Sequence, residues 1–322
     1  MKKPSNENNL VLEKYSRSNE LQVKQLIDLY NEDSYLFNLL RGNKTKCAYI
    51  AYYKKDVVGI FFAWSNNFHP YCTYFRIYTN PFYSGLHIEQ FLLNEIQKRE
   101  NFKLPLQTSI WETSAHLKAY YEEDNFMEIR RTFLPILDVQ KIIPIDTMLP
   151  SNYHVQTLSN IVSNNSFFEK LAHLVKTNYE YTHLANPVAS FSLETWQEML
   201  LADDVLLDGS FLIIDEEHQI MAYSFLHTSE KDNTVELGWC GTHTIEDLSL
   251  LKLLVFKQAM YANKHGYSFI QGEFDSTSIY AMEILKSFLF NPCATWITYQ
   301  RSRKVIIHFP ASFMLFLFQT LQ

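Results

Sequence analysis

The sequence predicts a mixed α/β protein made of two tandem copies of one domain. A strand, a short polar turn and a second strand are indicated at 49–53 and 57–64, and again at 211–214 and 220–225. Both pairs are rich in β-branched and aromatic residues, and both lead into the same succession of further elements. With 47% hydrophobic residues among 322, the chain holds enough apolar material for a core in each copy.

The first copy continues in an order that its residue patterns justify element by element. A β-rich stretch at 74–78 indicates a strand, and apolar residues with helical spacing follow from Ile88 to Ile96. A strand at 106–111 precedes a short helix at 115–123, and β-rich sequence at 129–137 closes the copy. The order β–α–α–β–β–β–α–β–α–β is that of a mixed sheet covered by helices.

The second copy repeats this order. A strand at 234–239 is followed by helical spacing of apolar residues over 248–259, and Gly266 is placed to end that helix. The copy is completed by three further predicted elements: a strand at 267–270, a helix at 279–288 and a strand at 295–299.

Two prolines, Pro144 and Pro150, flank a short extended stretch between the copies. Proline restricts both itself and the residue before it to extended backbone, so such a stretch is typical of a linker. We therefore predict an N-terminal domain at 1–142, a linker at 143–152 and a C-terminal domain at 153–322.

Charge and cysteine usage exclude several classes of function. The net charge is −7, from 28 basic and 35 acidic residues, which repels the phosphate backbone and disfavours nucleic-acid binding. The four cysteines are far apart and form no CxxC pair, so we expect neither a structural metal site nor a disulfide framework.

No targeting or membrane segment is evident. Residues 1–9 lack the apolar region of a secretory signal. The longest apolar run, 313–318, is far shorter than the roughly 20 residues that span a bilayer, and packing on the core is its simplest explanation. We expect a soluble cytoplasmic protein that does not associate with membranes.

Two motifs in the first copy resemble those of a known superfamily. Residues 80–89 read Asn-Pro-Phe-Tyr-Ser-Gly-Leu-His-Ile-Glu, and residues 119–126 read Ala-Tyr-Tyr-Glu-Glu-Asp-Asn-Phe. The first resembles the turn Pro-x-x-Arg/Gln-Gly-x-Gly-x-Gly/Ala of the GNAT superfamily of acyl-CoA N-acyltransferases, with Pro81 and Gly85 as matches. The second resembles that superfamily's helix end, with Tyr121 and Phe126 as matches. The chain is thus similar to a tandem GNAT protein over nearly its whole length.

This resemblance implies acetyl-CoA as the cosubstrate and assigns residues to it. Backbone N–H groups of a turn and of a helix N-terminus attract a pyrophosphate, and backbone N–H groups at the end of the preceding strand contact the acyl carbonyl. The implied cofactor-binding residues are Ile77, Thr79, Ser84, Gly85, Leu86 and His87. Where the family has small residues in the turn, this sequence has His87 and Glu89.

Two residues of the first copy are candidates for catalysis. The resemblance makes Tyr121 the acid that protonates the departing thiolate, since the basicity of a phenol suits a thiol leaving group. A half-buried packing role for this tyrosine stays open. Glu112, at the end of the strand at 106–111, is a candidate base that acts directly or through water, or else a solvated carboxylate.

The second copy keeps less of the motif. Its turn at 243–246 has no glycine, and Leu285 stands where the helix-end tyrosine is expected. It does offer three carboxylates, Glu236, Glu273 and Asp275, which would suit a cationic amine if they line a pocket and otherwise form part of the surface.

These observations favour an N-acyltransferase that moves an acetyl group from acetyl-CoA to the primary amine of a small molecule or peptide by direct attack. The degenerate turns support a second hypothesis, a catalytically inactive tandem GNAT-fold protein that serves in binding or as a scaffold. A third, a tRNA-dependent aminoacyl transferase of the Fem type, needs a basic tRNA track that the charge of −7 disfavours. The acceptor amine and the oligomeric state, including a homodimer, stay open.

Overall fold

The computed structural model describes residues 10–30, 34–42, 44–102, 105–143 and 149–302. The middle of the predicted linker and the apolar run at 313–318 lie outside the described residues. Within these ranges, no helix is long and apolar enough to cross a membrane.

The first half of the chain forms the elements that its patterns predict. A two-residue turn joins the first predicted strand pair, with Lys54 in the left-handed region at φ 59° and Tyr53 opposite Asp56. The elements are β1 (Leu10–Lys14), α1 (Glu20–Asp28), α2 (Ser34–Arg41), β2 (Thr45–Tyr53), β3 (Asp56–Trp64), β4 (Thr73–Thr79), α3 (Ile88–Arg99), β5 (Leu106–Trp111), α4 (Ala115–Glu123), β6 (Met127–Phe133) and β7 (Ile136–Asp138).

The second half follows the same order with a longer helix near its start. Asn164 caps that helix by accepting a hydrogen bond from the backbone N–H of Phe167. The elements are β8 (Tyr153–Thr157), α5 (Leu158–Val162), α6 (Asn165–Thr182), α7 (Leu193–Leu200), β9 (Phe211–Asp215), β10 (Ile220–Thr228), β11 (Thr234–Thr242), α8 (Leu250–Lys264), β12 (Phe269–Gln271), β13 (Phe274–Asp275), α9 (Ile279–Ser287) and β14 (Thr295–Arg301).

The strands form two mixed sheets that exchange their last members. The first sheet has the order β1-β2-β3-β4-β5-β14-β6-β13, and the second has the order β8-β9-β10-β11-β12-β7. The five leading strands of each half lie in the same order, as expected for two copies of one topology. However, β14 from the second half pairs with both β5 and β6, while β7 from the first half pairs with β12.

Pro135 marks the point where the chain leaves the first sheet for the second. Proline has no N–H for the strand ladder, so the pairing of β6 ends there, while the Pro135 carbonyl accepts a hydrogen bond from the Gly272 N–H at 3.0 Å. Each sheet is therefore completed by strands from the other half of the chain. Domain boundaries at 142 and 153 would place strands of one sheet in two different domains. These boundaries stay a prediction.

Helices cover both faces of both sheets. Buried apolar residues form separate clusters, with α3 and α4 against one face of the first sheet and α1 and α2 against the other. In the second sheet, α8 and α9 pack on one face and α5, α6 and α7 pack on the other. Each sheet therefore has the two apolar layers that a helix–sheet–helix arrangement requires.

Candidate functional site

In each half, the central parallel strands separate towards their carboxyl ends. The register of β4 with β5 covers Thr73 opposite Leu106 and Tyr74 opposite Gln107, after which the strands diverge. The register of β11 with β12 ends in the same way at Glu236 opposite Gln271. Such a gap frees backbone groups of the two strands from the ladder, so these groups need another partner.

The gap in the first half is filled by the protein's own side chains. The Tyr30 hydroxyl donates to the Thr79 carbonyl oxygen at 2.6 Å and accepts from the Thr79 N–H at 3.2 Å. The carboxylate of Glu89, in the first turn of α3, accepts from the Thr79 hydroxyl at 2.5 Å. The backbone groups of Thr79 that the sequence assigns to the acyl carbonyl are therefore already satisfied internally.

Tyr121 is packed inside the first-half core. Its side chain is fully buried, with ring contacts to Phe75 at 6.0 Å and Phe126 at 5.1 Å. Burial raises the pKa of its phenol above the usual range, and the nearby charge of Arg76 opposes that rise. This geometry gives the predicted acid role no support, and that role stays a prediction.

Glu112 holds the exchanged strand β14 in place. Its two carboxylate oxygens accept hydrogen bonds from the backbone N–H of Thr295 at 2.9 Å and from the Thr295 hydroxyl at 2.7 Å. Those bonds, with Arg131 at 3.6 Å, lower the pKa of this carboxyl, which weakens it as a base. The predicted catalytic role of Glu112 likewise stays a prediction, while its structural role is direct.

The predicted pyrophosphate turn of the first half lies at the surface. Ser84, Gly85 and His87 are exposed, whereas Leu86 is half-buried against the core and Ile77 is buried within it. A Cβ added to Gly85 would meet no atom within 4 Å. The turn is therefore accessible from solvent, but the gap behind it is closed.

A cavity of about 620 Å³ lies in the second half, at the gap between β11 and β12. Its wall includes Val175 and Asn178 from α6, which packs on one face of the second sheet, and His183, which follows that helix. It also includes Tyr280, Ala281 and Ile284 from α9, which packs on the other face. Residues from both faces of the sheet thus line the cavity, and the Tyr280 hydroxyl donates to the Asn178 Oδ1 atom between them at 2.9 Å. First-half residues complete its wall: Asn66, His69, Tyr74, Gln107, Ser109 and Arg130.

A β-bulge in β11 lies beside this gap. Ser224 of β10 pairs with Cys240 and Leu226 pairs with Leu237, so Gly238 and Trp239 lie opposite a single residue. The corresponding pairing in the first half, from Gly59 opposite Thr79 to Trp64 opposite Tyr74, has no such shift. Bulges redirect side chains next to active sites, and here the Trp239 ring contacts Tyr179 of α6 at 5.4 Å.

The three carboxylates noted in the second half all line the cavity. Asp275 pairs with Arg130 at 3.1 Å, and Glu236 accepts from the Ser229 hydroxyl at 2.6 Å. Glu273 is exposed at the mouth of the cavity, and desolvation by the surrounding protein together with the charge of Asp275 raises its pKa. In the described part of the chain, no hydrogen bond or ion pair engages its carboxylate. The cluster therefore lines a cavity and is also in part exposed at the surface.

Two histidines and a tyrosine form a stack on the cavity wall that the sequence analysis missed. The rings of Tyr179 and His183 stack at 3.8 Å, and His69 from the first half stacks on His183 at 5.5 Å. Burial lowers the pKa of both imidazoles, that of His183 to about 4, so both are neutral near pH 7. Tyr179 and His183 are one helical turn apart, as an i, i+4 spacing allows. His69 reaches them through long-range packing, which no spacing in the sequence indicates.

Among the residues that the structure describes, no group of histidine, cysteine, aspartate or glutamate side chains is arranged to hold a metal ion.

The backbone arrangement is shared with known structures. A GNAT N-acetyltransferase from Sphaerobacter thermophilus superposes with a TM-score of 0.58 at 11% identity, covering 91% of this chain and 96% of its own. A tandem GNAT protein from the clavulanic acid biosynthesis pathway superposes with a TM-score of 0.55 at 11% identity, covering 91% and 98%. The chain has the tandem GNAT fold. A GNAT-family acetyltransferase from Colwellia psychrerythraea is similar as well, with a TM-score of 0.51, 10% identity and coverage of 91% and 100%.

At this level of identity the likeness is one of fold. No protein-family model matches the sequence, and no curated protein matches it either. The tandem GNAT fold confirms the resemblance and the fold class predicted from the motifs, and it accounts for the separated central strands in both halves.

Proposed function

We propose that this protein is an N-acyltransferase that moves an acetyl group from acetyl-CoA to a primary amine by direct attack, with the reaction in the gap of the second half. The observation that carries the proposal is the cavity at the gap of the second sheet, because residues from both faces of the sheet line one space in which a thioester and an amine can meet. Bringing two reactants into one oriented site is itself a large part of such a catalyst's effect.

The walls of the cavity suit this chemistry. Glu236, Glu273 and Asp275 outnumber the cationic Arg130, so a protonated amine is attracted into it. The bulge at Gly238 and Trp239 leaves backbone groups outside the ladder, and N–H groups of this kind stabilise the oxyanion that forms on the thioester carbonyl.

The helix N-terminus beside the gap suits a pyrophosphate less well. Thr244 precedes α8, and its hydroxyl donates to the Asp247 carboxylate at 2.7 Å. A hydrogen bond with its own backbone N–H is the main reason that the pKa of Glu246 is lowered. The two carboxylates lie in the 3₁₀ turn Ile245–Asp247 just before α8, whose own first turn holds no acidic residue. Their charge beside the helix N-terminus opposes an anion, so we expect weak recognition of the CoA pyrophosphate there.

A second candidate, a catalytically inactive tandem GNAT-fold binding or scaffold protein, is favoured by the filled gap of the first half. The same observation weighs against the first-half site that the turn motif suggests. The sequence-based proposal for that site stays as it was. It assigns catalysis to Tyr121 and Glu112, and cofactor binding to Ile77, Thr79, Ser84, Gly85, Leu86 and His87.

Binding and turnover separate these candidates. Acetyl-CoA at 100 times its Kd should raise the free energy of unfolding by about 2.7 kcal/mol, which thermal unfolding detects. Release of CoA thiol should then be followed with 1,4-diaminobutane, a lysine peptide and kanamycin as acceptors. Stabilisation together with thiol release supports the acyltransferase. Stabilisation without thiol release from any acceptor supports the binding protein. If acetyl-CoA neither stabilises the protein nor releases thiol, both candidates are contradicted.

A further inference from the structure

We propose that His227, oriented by Asp204, is the base that removes the proton from the attacking amine. This inference rests on the proposed acyl transfer in the second half. His227 lies on β10 and Asp204 follows α7, and both side chains line the cavity at the gap.

The hydrogen bond between the two residues fixes the tautomer of the imidazole. The Nδ1 atom of His227 lies 3.1 Å from the Oδ2 atom of Asp204. An ionised carboxylate only accepts hydrogen bonds, so Nδ1 carries the hydrogen and Nε2 of the neutral ring carries the lone pair. A carboxylate that orients a histidine in this way is the arrangement by which a catalytic base is positioned.

The Nε2 atom lies against the bulge beside the gap. A Cβ added to Gly238 would come within 2.2 Å of His227 Nε2, so the ring rests on the backbone where the strand departs from its ladder. His227 also pairs across the strands with Glu236. Cross-strand partners project from the same face of a sheet, so the base and an amine-binding carboxylate are neighbours.

The backbone holds Asp204 at this position although its side chain is 57% exposed. Its carbonyl oxygen accepts a hydrogen bond from the Thr228 N–H at 2.8 Å, and the next residue, Val205, forms an isolated bridge with His227. The carboxylate is therefore brought to the imidazole by a short added strand segment, which limits how far the pair can separate.

The other cavity histidines are less suited to the role. The Nε2 atom of His69 lies 2.9 Å from the Tyr179 hydroxyl, which donates to it because the carbonyl of Pro187 takes the hydrogen on Nδ1. The Nε2 atom of His183 lies 4.0 Å from Asp275, and burial lowers the pKa of this imidazole to about 4, which makes it a weak base.

The reaction balances with this assignment. The ammonium that enters the cavity first loses one proton to water. The neutral amine nitrogen then forms a bond to the thioester carbonyl carbon, and a second proton passes from that nitrogen to Nε2 of His227. The tetrahedral intermediate then collapses, the carbon–sulfur bond breaks, and CoA leaves as a thiolate that takes a proton from water. The imidazolium returns its proton to solvent before the next turnover.

The test uses the full chain with acetyl-CoA and the best acceptor of the three named amines. His227→Gln should lower kcat by about 10²-fold or more, the usual loss for a general base. Added imidazole should restore part of the turnover of His227→Ala, since it can occupy the vacated place. Asp203→Asn, which changes the exposed neighbouring carboxylate, serves as the matched control for Asp204→Asn and should keep the parent rate.

The pH profile distinguishes a base from a structural residue. A base acts when unprotonated, so kcat/KM should rise with pH on the acidic side and that limb should disappear in His227→Gln. Asp204→Asn should lower kcat, because the imidazole loses the carboxylate that orients it. The other ionisable groups facing the cavity are Glu236, Glu273, Asp275, Arg130, His69, His183, Cys240 and the tyrosines 74, 179, 223 and 280.

The outcomes keep this inference separate from the proposed function. A parent protein that binds acetyl-CoA but acylates none of the amines contradicts the proposed activity. A parent that turns over while His227→Gln keeps both its rate and its acidic limb overturns the role of His227. An unchanged kcat in Asp204→Asn overturns the pairing, as does an equal loss of kcat in Asp203→Asn.

Discussion

The two halves of this molecule differ in which features they retain around the gap between their central strands. The first half retains Pro81 and Gly85 in an accessible turn, but its β4 pairs regularly and its gap is filled by Tyr30, Glu89 and Tyr121. The second half has no glycine in its turn, yet it has the bulge and the cavity. A recognisable motif and a usable site are therefore separate properties, because the turn depends on a few local residues and the cavity depends on distant packing.

The largest difference is expected between two glycine substitutions. Gly238→Ala places a Cβ 2.2 Å from His227 Nε2, and the ring, being the far end of a side chain, can move without loss of the fold. We expect turnover to fall about 10²-fold, in line with loss of a positioned base. Gly85→Ala meets no atom within 4 Å and should leave turnover and the unfolding temperature unchanged. Equal effects of the two changes would contradict the contrast between the halves.

Gly85→Val tests which half of the protein binds CoA. If the first-half turn holds the pyrophosphate, as its motif suggests, a branched side chain there should weaken CoA affinity while the fold stays intact. With the binding site in the second half, the affinity measured by calorimetry should stay unchanged.

Tyr121→Phe tests the chemistry of the first half by removing one hydroxyl. With that gap closed, as its packing indicates, we expect turnover to stay within about twofold of the parent. A fall of about 10²-fold with unchanged CoA affinity would instead support the acid role that the sequence assigns to Tyr121.

Acid should weaken the protein through the cavity of the second half. The pKa of His183 is lowered to about 4 by burial, whereas a histidine in the unfolded chain titrates near 6.5. As pH falls through this window, the unfolded chain binds a proton that folded His183 does not, so the free energy of unfolding decreases. His183→Gln should flatten this part of the pH dependence measured by denaturant unfolding, and His173→Gln, on the exposed side of α6, should not.

A smaller gain is expected from removing charge beside α8. Glu246→Gln with Asp247→Asn removes two carboxylates from the 3₁₀ turn just before α8, where their charge opposes a bound anion. CoA should then bind several-fold more tightly if its pyrophosphate lies there. Glu89→Gln, the equivalent change beside α3 in the first half, should leave affinity unaltered, and the reverse ranking would move the site to the first half.

The local patterns predicted the elements well, and the contacts between distant segments could not be predicted from them. The strand at 106–111 and the helix at 115–123 lie where the spacing of apolar residues indicates, because such spacing reports one face of one element. Glu236, Glu273 and Asp275 were also noted as a group, since they lie near the ends of neighbouring predicted strands. The bulge at Gly238 and the ring stack on His183 depend on segments far apart in sequence, for which a single chain carries no local signal.

The exchange of β7 and β14 has a consequence for how the protein is made. Thr298 of β14 lies opposite Ser109 of β5, a separation of 189 residues. The first sheet cannot close on the ribosome when its own half has emerged, because the strand between β5 and β6 is synthesised later. The leading half must wait with two unpaired strand edges, a state in which chains are prone to mispair with one another. We therefore expect neither half, expressed alone, to form its complete sheet.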